Sequence, residues 1–284
     1  SVTLLENSRF DPREEANDPA LARVLASYAD FYVNDAFGAA HRAHATTEAV
    51  AHLLPNAPGL LMKAELAALS RLVSSPRRPF AVVLGGAKVS DKLAVIERLL
   101  GLADTIIVGG AMAYTFIAAQ GGAVGKSLVE PDMFGVAERV LAQAAARGVQ
   151  LVLPADSVCA ASIAPGVASS VHPSNAIPDG LMGLDVGQAA VAEFTKALGP
   201  AKTVFWNGPL GVFETPPFDA GTRAVATAVA ALDAFTVVGG GDSIAALNAA
   251  GVLDRISHVS TGGGASLEFL EGRTLPGVAA LGVG

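Results

Sequence analysis

The sequence has little of three features that would each indicate a particular class of protein. It contains a single cysteine, Cys159, which excludes an internal disulfide and predicts a reducing compartment, the cytoplasm. Only 16% of the residues are charged and 51% are hydrophobic, so enough apolar surface is present to exclude intrinsic disorder. The 31 glycines and 16 prolines follow no repeating period, which excludes collagen-like and low-complexity chains.

Basic residues are also in the minority. The chain has 19 Lys and Arg against 26 Asp and Glu, and its net charge of −7 argues against nucleic-acid binding. An anionic ligand would therefore need a local basic cluster or backbone amides. An uncharged run over 105–125 is long enough to cross a bilayer, but its glycines divide it into a strand and a helix, so no membrane association is expected.

Short β-branched runs alternate with helical patterns along most of the chain. Six of them follow Pro79, each with a glycine-rich or polar turn behind it: AVVL (81–84), TIIV (105–108), QLVL (150–153), TVFW (203–206), FTVV (235–238) and HVST (258–261). Apolar strands that alternate with helices predict a parallel sheet covered on both faces. Ligands of such sheets bind outside the carboxyl ends of the strands, so these turns mark the expected site.

The segment before Pro79 has a different character. VTLL (2–5) and FYVND (31–35) predict two strands with a helix between them. A long helical pattern from about 60 to 75 predicts a connection between two bodies. The N-terminal part is too small and has too few strands to close a core of its own.

Two lysines follow the first strand after Pro79. In GGAKVSDK, Lys88 and Lys92 are four residues apart at a helix start and therefore share one face. Ammonium groups beside free helix amides attract anions. Taken alone, however, this pattern more often marks solvated lysines behind a Gly-Gly turn.

Two triple glycines each precede a helix. Gly239–Gly241 lead into Asp242 and Ser243, which are ordinary helix-capping residue types. In a functional interpretation the bare amides approach phosphates while Asp242 takes a Mg²⁺ ion. A second triple, Gly262–Gly264, opens another helix, and two such triples on one edge exceed what capping requires.

Two further strings carry polar side chains that suit an anionic nucleotide or its co-substrate. In WNGPLGVFE, Asn207 would contact a phosphate and Glu214 the ribose hydroxyls, unless the string is only a tight turn with an exposed acid. In NDAFGAAHRAHA, His41, Arg42 and His44 form a local anion receiver or, more commonly, a solvated helix end.

In combination these strings resemble phosphoglycerate kinase. LLENSRF, YVNDAFGAAHRAHAT, GGAKVSDK, GGAMAYTF, VGKSLVE, MGLDVG, FWNGPLGVFE, GGGDS and STGGGASLEFLEG occur in the family's order over essentially the whole chain. The resemblance implies a hinge-bending, monomeric, cytoplasmic enzyme of glycolysis. It would transfer a phosphoryl group reversibly between 1,3-bisphosphoglycerate and ADP, giving 3-phosphoglycerate and Mg-ATP. Such a transfer relies on positioning and charge neutralisation.

The resemblance also implies roles for the residues that match the family's strings. The catalytic residues would be Lys88, Lys92 and Gly263, and the phosphoglycerate would be bound by Arg9, His41, Arg42 and His44. The nucleotide would be bound by Lys92, Gly110, Met112, Gly183, Asn207, Glu214, Gly240, Gly241, Asp242 and Ser243, and Mg²⁺ by Asp242.

The fold implied is α/β, with two Rossmann-like three-layer (αβα) domains whose parallel sheets are joined by a helix, the N-terminal domain being incomplete. Residues 1–75 would form the partial phosphoglycerate-binding domain and the interdomain helix, and 76–268 the nucleotide-binding domain. Residues 269–284 would be a tail that returns to the N-terminal domain.

The family has a further N-terminal segment that these 284 residues do not match. We therefore expect this polypeptide to bind Mg-nucleotide but to turn over weakly. Two other classes stay open: a non-catalytic nucleotide-binding module and an NAD-dependent dehydrogenase. Calorimetry with Mg-ADP, NAD and 3-phosphoglycerate in turn distinguishes all three.

Overall fold

The computed structural model describes residues 2–282. Their contacts form two compact units, the first from the described residues of Ser1–Arg71 and Thr261–Gly284 and the second from Leu72–Ser260. The second boundary differs from the predicted one at 268. The residues that follow Ser260 join the first unit because their contacts are made there: Thr261 donates its backbone N–H and its hydroxyl to the buried carboxylate of Glu65.

The helices and strands are numbered along the chain. The α-helices are α1 (Pro12–Glu15), α2 (Pro19–Ala26), α3 (Leu60–Ser74), α4 (Leu93–Leu99), α5 (Met112–Ala119), α6 (Phe134–Arg147), α7 (Gln188–Leu198), α8 (Ala220–Ala230), α9 (Gly241–Ala249), α10 (Gly264–Leu270) and α11 (Pro276–Ala279). The strands are β1 (Tyr32–Asn34), β2 (Asn56–Pro58), β3 (Phe80–Leu84), β4 (Thr105–Val108), β5 (Ala123–Val124), β6 (Gln150–Val152), β7 (Asp156–Ala160), β8 (Ser169–Pro173), β9 (Ala176–Ile177), β10 (Met182–Val186), β11 (Thr203–Asn207), β12 (Phe235–Gly239) and β13 (His258–Ser260). Short 3₁₀ helices cover Ser8–Phe10, Phe37–Ala39, Ala49–His52, Ser90–Lys92, Pro131–Met133 and Leu253–Arg255.

A six-stranded parallel sheet forms the centre of the second unit. Its order is β13-β12-β11-β3-β4-β6, and each neighbouring pair is parallel. The six strands predicted after Pro79 are all present, each within a residue of its predicted bounds. The predicted α/β class with a parallel sheet is thereby confirmed.

Both faces of this sheet are buried. On one face Ala81 and Val83 of β3 belong to the same hydrophobic core as Phe194 and Leu198 of α7. The alternate residues of β3 are also fully buried, because successive side chains of a strand point to opposite faces. A strand that packs on both faces has few positions open to solvent, which is why these runs are predominantly apolar.

A second sheet in this unit was not predicted. β10, β7 and β8 form an antiparallel sheet of three strands in the order β10-β7-β8, and β5 pairs with β9. β8 carries exposed serines and a half-buried histidine and offers little hydrophobic periodicity. The sequence pattern therefore predicts β8 only weakly, because its pairing with a distant segment decides that it forms a strand.

The first unit contains a parallel pair, β1 and β2, with helices and turns around it. The predicted strand at 31–35 and the helix that precedes it are present as β1 and α2. The predicted strand VTLL (2–5) is wrong: Val2 and Leu4 are 100% and 96% exposed, and these residues are irregular. An apolar run forms a strand only where a neighbouring strand supplies hydrogen bonds.

The C-terminal segment of the first unit packs against its N-terminal residues. Gly277 N–H donates to Ala40 O over 2.9 Å, and a Cβ at Gly277 would lie 3.1 Å from Ala40 Cα. α3 covers the helical pattern predicted from about 60 to 75. Within residues 2–282, no helix combines the length and the apolar character needed to cross a membrane.

We predict that Leu198→Ala lowers the free energy of unfolding by about 2–5 kcal/mol, because Leu198 is fully buried in the core beneath α7. Urea denaturation measures this loss. Leu128→Ala is the matched control, since Leu128 is 53% exposed and its truncation leaves no cavity. Equal losses in the two variants would contradict the assignment of this core.

Candidate functional site

Four turns of the second unit converge where β3, β4, β11 and β12 end. Gly85 N–H donates to Asn207 O over 2.9 Å, and Gly86 N–H donates to Pro209 O over 2.9 Å. The turn behind β4 joins them, since Gly110 N–H donates to Leu210 O over 3.1 Å. These backbone bonds tie the turns into one surface at the sheet edge where ligands of such folds bind.

Glycine is required where two of these turns cross. A Cβ on Gly85 would lie 2.0 Å from Pro209 O, and one on Gly208 would lie 2.2 Å from Gly85 O. Gly208 also has a φ of +94°, a conformation that L side chains rarely adopt. The close approach of the backbones therefore explains the glycines without any reference to a ligand.

Lys92 reaches this edge from the 3₁₀ helix Ser90–Lys92. Its Nζ donates to Asn207 Oδ1 over 2.6 Å and to Asn207 O over 2.8 Å, and the side chain is only 9% exposed. Burial lowers the pKa of Lys92 to about 8, and the charges of Asp242 and Asp91 oppose that shift. The predicted lysine and the predicted asparagine are therefore in direct contact.

The turn behind β12 completes this polar end. Asn207 Nδ2 donates to Gly239 O over 3.0 Å, which turns the amide oxygen toward Lys92. Ser243 Oγ accepts the Gly208 N–H over 2.6 Å. α9 begins behind Gly240 with its first amides and the exposed Asp242 side chain at the same edge. A helix N-terminus with bare glycines is suited to anions.

A cavity of about 330 Å³ lies beside this polar end. Four predicted nucleotide-binding residues are found in its lining: Gly110, Gly183, Glu214 and Asp242. Met112, also predicted for the nucleotide, is fully buried at the start of α5 and is not part of that lining. The volume suits a small ligand.

The lining also includes large side chains that were not among the predicted site residues. Tyr114, Leu128, Ile163 and Met182 contribute there. Tyr114 packs so closely on β10 that a Cβ on Gly183 would lie 1.9 Å from its Oη. The lining thus combines apolar side chains, which suit a planar base, with the carboxylates of Glu214 and Asp242.

Asp185 is another residue whose role could not be predicted from the sequence. It is 1% exposed and accepts the N–H groups of Gly221 and Val186 over 2.6 and 2.9 Å. Burial raises its pKa to about 7, although these hydrogen bonds work in the opposite direction. Its position under Gly211 supports the turn that brings Glu214 to the cavity. The only signal was its place in the string MGLDVG.

In the first unit, two of the predicted phosphoglycerate residues lie together. Arg42 is exposed, and its Nε donates to His41 Nε2 over 3.4 Å. His41 Nε2 would lie 3.6 Å from a Cβ on Gly264, the first residue of α10. Within residues 2–282 the buried Nδ1 of His41 has no hydrogen-bond partner.

The other predicted residues of this unit have different surroundings. Arg9 is half exposed, with its Nε 3.8 Å from Glu15 Oε1. His44 is 7% exposed and contacts the buried Glu14, Nδ1 lying 3.9 Å from Oε1. Gly263, with a φ of +52°, precedes α10 and has open space where a Cβ would stand.

Comparison with known proteins gives a consistent result. The family model described as phosphoglycerate kinase matches residues 1–273. A phosphoglycerate kinase of Thermus thermophilus is 59% identical over 281 residues, which are 99% of this chain and 72% of the relative. That of Roseiflexus castenholzii is 56% identical over 280 residues, which are 99% of this chain and 71% of the relative.

Solved structures show the same likeness. The structure of phosphoglycerate kinase from Coxiella burnetii has a TM-score of 0.92 and 42% identity, covering 97% of this chain and 71% of that one. Phosphoglycerate kinase from Pyrococcus horikoshii has a TM-score of 0.86 and 33% identity, covering 98% of this chain and 72% of that one.

We predict that the free energy of unfolding depends on the protonation of Asp185. Its folded pKa of about 7 exceeds the usual value of 3.8, so the folded chain binds the extra proton between these pH values. This contribution to the free energy of unfolding is fully present at low pH. It is lost as the pH rises from about 4 through 7, by at most about 1.4 kcal/mol per pH unit.

In Asp185→Asn this component is absent, so the pH profile of stability should be flatter over that interval than in the parent chain. Urea denaturation at a series of pH values measures the slope. The matched control is Asp179→Asn, whose carboxylate is exposed. A variant that keeps the parent slope would show that Asp185 does not titrate in this range.

Proposed function

Because the chain belongs to the phosphoglycerate kinase family, we propose that the cavity of the second unit is its nucleotide site, with Lys92 and Asn207 at the phosphates. The chain is a kinase whose phosphoryl acceptor is a carboxyl group, and its nucleotide substrate is ATP or ADP. The reaction is the reversible transfer between 1,3-bisphosphoglycerate and ADP. This membership favours the kinase over a dehydrogenase or a non-catalytic module.

The contact between Lys92 and Asn207 carries the nucleotide assignment. Lys92 donates two of its three Nζ–H groups to Asn207, which leaves a third for a phosphate oxygen. A buried ammonium group beside glycine amides stabilises negative charge more strongly than an exposed one would. Since phosphoryl transfer depends on positioning and charge neutralisation, this is the kind of group that it needs.

The apolar side chains of the cavity would hold the adenine, and Glu214 would accept hydrogen bonds from the ribose hydroxyls. Both follow from the chemistry of the lining, which combines Tyr114 and Leu128 with carboxylates. Gly240, Gly241 and Ser243 would hold the phosphates through the start of α9. Met112 would support the site from its buried position without contacting the base.

Magnesium fits this site as a partner of the nucleotide. Among residues 2–282 no group of three His, Cys, Asp or Glu side chains is arranged to hold a metal. Asp242, exposed in the cavity lining, offers one carboxylate, and Mg²⁺ typically binds one or two carboxylates together with substrate phosphates and water. Asp242 would hold the ion, whose charge would neutralise the phosphates.

For the phosphoglycerate we propose Arg9, His41 and Arg42 of the first unit. Arg42 is exposed and donates to His41, and Gly264, at the N-terminus of α10 behind Gly263, adjoins that histidine. An arginine is suited to both carboxylate and phosphate groups. His44 would act indirectly, by fixing the segment through Glu14. Lys88, exposed in its turn, would reach the transferred phosphoryl group.

We also propose that the chain is a cytoplasmic monomer that acts on small molecules and not on nucleic acids or membranes. Light scattering behind size-exclusion chromatography tests the oligomeric state. A dimer at micromolar concentration would contradict this part of the proposal.

Calorimetry with Mg-ADP tests the nucleotide site. We predict that Lys92→Met weakens Mg-ADP binding by about 10- to 100-fold, since a hydrogen bond to a charged group contributes about 1.5–3 kcal/mol. Affinity in the parent chain should also fall above about pH 8, where Lys92 loses its proton, and this fall should be absent in the variant.

Lys196→Met, at an exposed position of α7, is the matched control and should bind as the parent does. Binding of NAD in place of ADP, or an unchanged affinity in Lys92→Met, would contradict the proposal. A coupled assay with 3-phosphoglycerate and Mg-ATP tests the transfer itself.

A further inference from the structure

A carboxylate outside the predicted site binds the turn between Lys88 and Lys92, which we call the lysine turn. Glu130 Oε2 accepts the N–H groups of Val89 and Ser90 over 2.5 and 3.2 Å. Its Oε1 accepts the Ser90 hydroxyl over 2.5 Å. Val89 and Ser90 are the residues that follow Lys88 and lead into the one-turn helix ending at Lys92. Three hydrogen bonds to a residue distant in sequence therefore fix this turn.

Glu130 is itself anchored to helix α5. Its backbone N–H donates to Thr115 Oγ1 over 3.1 Å, and Thr115 is fully buried in α5. Three residues earlier, Ser127 Oγ accepts the N–H of Gly183 over 2.9 Å. The segment 127–130 thus connects the β10 wall of the cavity, helix α5 and the lysine turn.

The lysine turn has no cap of its own. Val89, at the N-cap position of the 3₁₀ helix, is apolar and makes no side-chain hydrogen bond there. Glu130 supplies the missing acceptor and a negative charge at the helix start, both of which stabilise such an end. Burial alone would raise the pKa of Glu130, but the hydrogen bonds from Ser90 and Val89 and the charge of Lys88 lower it overall.

Glu130 continues the anchoring of this turn beyond its two glycines. Gly85 and Gly86 are held by their N–H bonds to Asn207 O and Pro209 O, and Glu130 holds Val89 and Ser90 further along. Lys92 must place its ammonium within 2.8 Å of two oxygens of Asn207. Small displacements of groups that stabilise charge cost much of their effect.

We propose that Glu130 is a positioning residue for the phosphate end of the nucleotide site, acting on Lys88 and Lys92 through Val89 and Ser90. The inference rests on the proposed nucleotide site. It assigns Glu130 no contact with the base, because its carboxylate is directed at the lysine turn and not at the cavity lining. Loss of the carboxylate should therefore affect binding of the phosphates and spare binding of the nucleoside.

The test compares two ligands in the full chain, Mg-ADP and adenosine, by calorimetry. Glu130→Gln keeps the size of the side chain but replaces one acceptor oxygen with a donor, so we expect Mg-ADP to bind about tenfold more weakly. Adenosine should bind within about twofold of the parent. Ser90→Ala removes only the hydroxyl bond, and we expect a smaller loss that is also confined to Mg-ADP.

Glu97→Gln serves as the control, because Glu97 is an exposed glutamate on the helix that follows the same turn. It should leave both affinities unchanged. Equal losses for the two ligands in Glu130→Gln would show a general structural role and overturn the inference, as would parent-like binding of Mg-ADP. If Glu130→Gln does not fold, Ser90→Ala decides: a loss confined to Mg-ADP supports the inference, and parent-like binding overturns it.

The parent chain separates this inference from the proposed function. A parent that binds Mg-ADP no more tightly than adenosine would overturn the proposed phosphate site, and this inference with it. A parent that prefers Mg-ADP while Glu130→Gln behaves identically would overturn only the role of Glu130.

Discussion

The ammonium group of Lys92 is the constraint on which the sheet edge depends. A buried cation is costly unless its hydrogen bonds are satisfied, and here the two oxygens of Asn207 accept two of its three N–H groups. Asn207 can offer them because Gly239 O fixes its amide from the next strand. The burial of the lysine therefore depends on the positions of three strands and two turns at once.

Much of this arrangement could be predicted from local pattern. β3 and β11 are apolar on both faces, and their glycine turns mark the ends of the strands, so a window of about ten residues contains the necessary information. Contacts between distant segments could not be predicted in this way. Glu130 and Asp185 lie in the strings VGKSLVE and MGLDVG, but those strings do not show which distant turns they hold, and only the folded chain brings them there.

The HRAH string shows the same limit at shorter range. His41 and His44 are three residues apart, yet one adjoins the exposed Arg42 and the other faces the buried Glu14. Spacing along an irregular segment does not fix which way a side chain points, because there is no helical or strand period to relate them. The VTLL run fails for a related reason: its apolar pattern needed a partner strand.

The contact of Tyr114 with Gly183 has a consequence for the order in which this site can change. A methyl group at 183 would overlap the tyrosine hydroxyl, whereas a smaller residue at 114 would first open the space. That first step leaves Ser157 without the phenol that donates to it. A lineage that alters this wall must therefore pass through a less stable intermediate. Position 114 is expected to be replaced before position 183, and not the reverse.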